Sequence, residues 1–198
     1  AERGVVLEEI AMSEDDPLDL GRTELERELF GNHPLAGPVA GSAHSVSTMR
    51  RAALRGHYRR YYTPDNYVIT VVGNASHRKV VSAVSRAFGL ADAPVRTPKA
   101  SKPPLAPRHG RARVGKAFEQ VNLLRAHGAP PRGDDQRYAM AVLHTVLGGG
   151  MSSRLFQEVR ERRSLAYSVN AFRASYSDAG VFGVHAGCAP EKLDQTRE

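Results

Sequence analysis

Leu147-Gly148-Gly149-Gly150-Met151-Ser152-Ser153-Arg154-Leu155-Phe156-Gln157-Glu158-Val159-Arg160, running on through Leu165-Ala166-Tyr167-Ser168-Val169, decides how this chain folds. The glycines free the backbone where a Cβ would strain it. Ser152 and Ser153 follow, and a serine oxygen accepts from the open N–H groups of a new helix. Leu155, Phe156 and Val159 then share one helical face, while Glu158 and Arg162 stand four apart on another. After Arg163-Ser164 the period changes. Leu165, Tyr167 and Val169 alternate with Ala166 and Ser168, the pattern of a half-buried strand. The order predicted is loop, short helix, strand. A phosphate-binding loop is not predicted, because Gly-x-x-x-x-Gly-Lys-[Ser/Thr] is missing.

Working outward, residues 2–12 read as a helix with Val5, Val6 and Ile10 at its apolar positions. Asp16 caps a second helix, with Pro17 at its first position and Asp19 in its first turn. Leu18, Leu25 and Leu29 share a face, and Gly31 ends the helix. A loop over 37–45 leads to a third helix reaching about Tyr61. Thr63-Pro64-Asp65-Asn66 turns the chain into Tyr67–Val72, whose β-branched apolar residues predict a buried strand. A helix from about His77 to Phe88 is expected to bury Val80, Val84 and Phe88. Residues 91–110 hold five prolines and four Lys/Arg against one Asp, the composition of an extended linker. Strand signals follow over Arg111–Phe118 and Val121–Arg125. Asp134 or Asp135 starts a helix to about Leu147, and Gly180–Gly187 reads as another strand. Helices and strands mix without a βαβ rhythm, so the class expected is α+β with a largely antiparallel sheet.

The 198 residues, 41% hydrophobic, suffice for one or two modest domains. No apolar run approaches a membrane span. Cys188 is the only cysteine, which excludes an internal disulfide and fits a reducing compartment. The net charge of +7 is segregated: residues 1–30 carry −7 and the remainder +14, most of it arginine. Nucleic-acid binding is disfavoured, because the cations are scattered and no aromatic platform or DNA-binding motif accompanies them.

The Gly-loop, helix and strand resemble the second subdomain of the M16 metallopeptidases, the inverted-zinc-motif family of pitrilysin, insulin-degrading enzyme and the mitochondrial processing peptidases. Glu2-Arg3-Gly4-Val5-Val6-Leu7-Glu8-Glu9-Ile10 is similar to the segment carrying that family's third zinc ligand. Asp15-Asp16-Pro17, His33-Pro34-Leu35, Tyr61-Tyr62-Thr63-Pro64-Asp65-Asn66 and Val71-Val72-Gly73-Asn74 follow in the family's order. The resemblance implies M16-type repeated α/β subdomains, truncated at both ends. Residues 1–90 would be the C-terminal part of the zinc-binding subdomain and 91–110 a Pro/basic linker. Residues 111–198 would begin a second, substrate-facing subdomain. The chain opens inside a motif without an initiator Met and stops in a starting helix, so an internal fragment is expected.

A catalytic zinc takes three protein ligands and keeps a position for water, which it acidifies for attack on a carbonyl. The family's His-x-x-Glu-His supplies two ligands and the general base. None of the eight histidines here begins that motif or His-Glu-x-x-His, so it is expected upstream. The resemblance makes Glu9 the third zinc ligand. Glu2, seven residues earlier, shares its helical face but lies about 10 Å away along the axis. Both cannot hold one zinc, and the resemblance makes Glu2 a catalytic support. Glu8 points elsewhere and reads as a surface residue. Spacing alone favours a solvated acidic face for all three. The resemblance also assigns Arg160 and Tyr167 to substrate, through an arginine fork and a phenolic hydroxyl. Alone, they read as a surface ion pair and a half-buried strand residue. His33, His144 and the other histidines read as structural or exposed.

The expected function is a zinc-dependent endopeptidase acting on peptides or unfolded segments inside a two-half chamber. The partner would be a second copy in a homodimer or a paired M16 subunit. The fragment alone is expected to be inactive. The alternative is a non-catalytic structural or partner subunit of the same family. The compartment expected is a bacterial cytoplasm, with a mitochondrial matrix as alternative.

Overall fold

In the computed structural model, which describes residues 2–88 and 108–198, Asp16 begins the helix that anchors the sheet. Its carboxylate accepts from Leu18 N and Asp19 N, both at 2.8 Å. Pro17 occupies the first turn, where a missing N–H costs nothing. This helix, α2 (Pro17–Phe30), ends at Gly31, whose φ of 57° a residue with a Cβ rarely adopts. It follows α1 (Glu2–Asp15), of which only Ile10 is buried.

The described residues form two compact units, 2–46 with 108–198 and 47–88. The larger holds a three-stranded antiparallel sheet of β1 (Val121–Gly128), β2 (Ser168–Ser175) and β3 (Gly180–Cys188), in the order β1-β3-β2. The register pairs Leu124 with His185 and His185 with Asn170. Side chains alternate between faces, so each face makes its own core. On one, Ala126, Phe172, Ala174 and Val181 meet Leu29 and Phe30 of α2. Burying a side chain of that size contributes about 2 kcal/mol. On the other, Val121, Val169, Ala186 and Cys188 meet Leu155, Phe156 and Val159. Helix α6 (Gln136–Gly148) lies against β2, and Asp134 accepts from Gln136 N at 2.8 Å near its start.

The smaller unit carries α4 (Arg51–Tyr61) and α5 (His77–Phe88). The third predicted helix is interrupted: α3 (Ala43–Thr48) and α4 are separate helices. Tyr67–Val72 is not a buried strand. Val68 and Val72 are each 93% exposed, because no described strand pairs with this segment. Phe88 is exposed for the same lack of a covering layer, and Val80 and Val84 are only partly covered. Residues 111–118 also form no strand; β1 begins at Val121, where β3 supplies the ladder. Residues 91–107 of the expected linker lie outside the described residues.

Candidate functional site

The glycine run does not depend on left-handed backbone: Gly148, Gly149 and Gly150 all lack positive φ. Gly148 is needed for closeness. A Cβ there would collide with the backbone N of Ala171, so only glycine lets α6 approach β2. His144 strengthens the contact, its Nε2 lying 3.1 Å from Ala171 O. The serines do not cap the next helix with their side chains. Ser153 is buried and its Oγ has no hydrogen-bond partner, while its carbonyl accepts from Gln157 N at 3.0 Å.

That next helix is a π-helix over Phe156–Arg162 rather than an α-helix. Such wider turns are rare and are frequent at functional sites. Its end is pinned by Glu158, whose carboxylate accepts from Arg163 Nε at 2.9 Å and Arg162 Nη1 at 3.1 Å. Those two hydrogen bonds, Arg163's first, hold the Glu158 carboxyl below the usual carboxylate range. The strand begins at Ser168, not Leu165. Ser164 has φ 50°, and Leu165 N donates back to Val159 O at 2.9 Å. The segment after Arg162 thus closes the helix before it can join the ladder. This turn leaves Tyr167 73% exposed and buries Ala166 instead.

The result brings Arg160 and Tyr167 together. The Arg160 guanidinium carbon lies 5.3 Å from the Tyr167 ring centre and 4.8 Å from that of Phe156. A cation between two aromatic faces is held by their quadrupoles. The pair lines an open pocket of about 360 Å³ with Gln120, Leu165, Cys188 and Lys192. Arg160 offers forked donors and Tyr167 a hydroxyl, a set suited to peptide carbonyls. Sequence reasoning missed Lys192 and Gln120, which reach this pocket through tertiary folding and carry no local motif.

Glu2, Glu8 and Glu9 are exposed on α1, and no hydrogen bond or ion pair joins Glu2 or Glu9 to another described residue. Neither lines the Arg160–Tyr167 pocket. An exposed carboxylate can ligate zinc, and in this Glu9 does not differ from Glu2 or Glu8. Among the described residues no group of three or more His, Cys, Asp or Glu could complete a zinc site. The histidines that are buried serve structure. His33 accepts from Leu35 N at 3.3 Å through Nδ1. His185 spans the sheet, its Nε2 2.7 Å from Asn122 Oδ1 and its Nδ1 3.1 Å from Asn170 Oδ1. Desolvation, then the charge of Arg22, lowers the His185 pKa.

Residues 48–198 match the family model for the peptidase M16 inactive domain. Arg160 and Tyr167 fall inside the match, and Glu2 and Glu9 precede it. An uncharacterized zinc protease of Streptomyces coelicolor is 44% identical over 97% of this chain and 43% of its own length. Another, from Bacillus subtilis, is 36% identical over 100% of this chain and 47% of its own length. The crystal structure of a peptidase M16 inactive domain from Pseudomonas fluorescens superposes with a TM-score of 0.85 at 25% identity, covering 98% of this chain and 48% of that one. The chain thus spans about half the length of the curated relatives it matches. The fold, the Gly148–Val169 run and these matches place the chain in the M16 peptidase family.

Proposed function

We infer that this chain belongs to a zinc-dependent endopeptidase and supplies one zinc ligand, Glu9, together with the substrate-holding pair Arg160 and Tyr167. The observation carrying this reading is the Arg160–Tyr167 juxtaposition at the wall of an open pocket. Relatives named zinc proteases support it. Glu2 supports the reaction from the same helix face as Glu9. The other zinc ligands and the general base come from outside these 198 residues. When bound, the zinc supplies an acidified water for attack on the scissile carbonyl. Arg160 and Tyr167 hold peptide carbonyl oxygens, and their donors strengthen as negative charge develops on the reacting one.

The pair serves a zinc site in the opposing half of a homodimer or of a two-subunit complex, whose chamber admits peptides and unfolded segments. Relatives from bacteria support a bacterial protein, and the compartment proposed for it is the cytoplasm. Among the described residues no helix is long and apolar enough to cross a membrane. A second reading, a non-catalytic partner subunit, draws on the match to an inactive domain. The full-length protein decides between them. Hydrolysis of an internally quenched peptide, lost on chelation and restored by zinc, is the result expected of the peptidase. No hydrolysis by the full-length protein with zinc present would overturn the peptidase reading and leave the non-catalytic subunit.

A further inference from the structure

We propose that Lys192 is a positioning residue for Arg160: it holds the left-handed turn at Ser164 that sets the Arg160–Tyr167 pair. The inference rests on the substrate role given to that pair above. Ser164 is the only non-glycine residue with positive φ among the described residues, at 50°. A Cβ makes that conformation uncommon, and it persists where surrounding contacts impose it. Lys192 Nζ donates to Ser164 O at 2.7 Å. A charged donor on a carbonyl makes one of the stronger hydrogen bonds.

The turn is held from both sides. From the helix, Ser164 N donates to Arg160 O at 3.1 Å and Leu165 N to Val159 O at 2.9 Å. From beyond β3, Lys192 is itself fixed by its N–H to Ala189 O at 3.0 Å. Thr196 Oγ1 donates to Lys192 O at 2.8 Å and lies 3.5 Å from Leu165 O. Tyr167 N donates to Gly187 O at 2.9 Å, on the strand that leads to Lys192. Arg160 at one end of the turn and Tyr167 at the other are thus referenced to the same segment. Without the ammonium, only the two backbone bonds oppose relaxation of Ser164 toward negative φ, and the turn loosens. Arg160 then shifts against Tyr167, and small misplacements of substrate-holding groups are costly to turnover.

The test is a double-mutant cycle in the full-length protein on an internally quenched peptide. Lys192→Met should lower kcat about tenfold with KM changed less than about twofold. Lys192→Arg, which keeps a charged donor, should recover most of the rate. In an Arg160→Ala background, Lys192→Met should cost less than about twofold more, because the residue it positions is gone. Unchanged turnover in Lys192→Met, no recovery with Arg, or a full additional loss in the Arg160→Ala background overturns the proposal while the role of Arg160 stands. If Arg160→Ala itself leaves kcat unchanged, the substrate role fails and the positioning role falls with it.

Discussion

The Arg160 guanidinium stacks 5.3 Å from the ring centre of Tyr167, although one residue belongs to a π-helix and the other immediately precedes a strand. The tight turn at Ser164 makes this contact by folding the chain back over seven residues. If the pair serves a zinc site on an opposing subunit, defects in the two sites are separable. Arg160→Ala should lower kcat by about 10²-fold, more than it changes substrate affinity, since its donors act mainly on developing charge. Equimolar mixing of Arg160→Ala and Glu9→Gln subunits, with exchange, should return about one quarter of wild-type activity, because half the symmetric dimers then hold one intact chamber. Activity that stays at the level of the separate mutants rejects the shared site.

Gly148→Ala should destabilise the protein by about 2–4 kcal/mol, because its Cβ would meet β2 backbone that cannot retreat without moving the sheet. Gly150 has open space around it, so Gly150→Ala should change stability little. Thermal denaturation of the two variants checks this. Equal melting temperatures would mean that α6 and β2 are not in close contact.

His185 makes stability depend on pH in a stated direction. Its folded pKa is lowered below its ordinary value of 6.5, by desolvation first and Arg22 second. Below 6.5 the unfolded chain therefore binds the proton more readily than the folded one, and stability falls as pH drops from there toward the folded pKa. Above 6.5 both states are neutral at this site and its contribution is level. Denaturant unfolding of wild type and His185→Gln at pH values from 5 to 8 should show a shallower acid decline in the variant. Parallel declines would remove His185 as a source of it.

The elements with local signals were legible in the sequence. Asp16-Pro17 and Gly31 marked the ends of α2 through capping chemistry, and Gly180–Gly187 nearly coincides with β3. Arg160 and Tyr167 were singled out only through the resemblance of the Gly-loop run, and the structure shows them in contact. The misreadings share one cause: alternation and β-branching report a preference, while a strand needs a partner. Tyr67–Val72 has the composition of a strand but no described neighbour, and Leu165–Tyr167 alternates correctly but is captured by the helix end. The π-helix was not legible, because its seven residues keep the apolar spacing of an α-helix. Lys192 was invisible, since its bond to Ser164 O reaches a turn 28 residues earlier in the chain.

If Glu9 is a ligand of the catalytic zinc, the metal content of a single variant shows it most directly. Purified full-length Glu9→Gln should hold well under half the zinc of wild type by elemental analysis, on the order of tenfold less at limiting metal, and should not hydrolyse the quenched peptide. Glu2→Gln should keep much of its zinc and lose turnover. Full zinc occupancy in the Glu9→Gln protein would mean that Glu9 is not a zinc ligand.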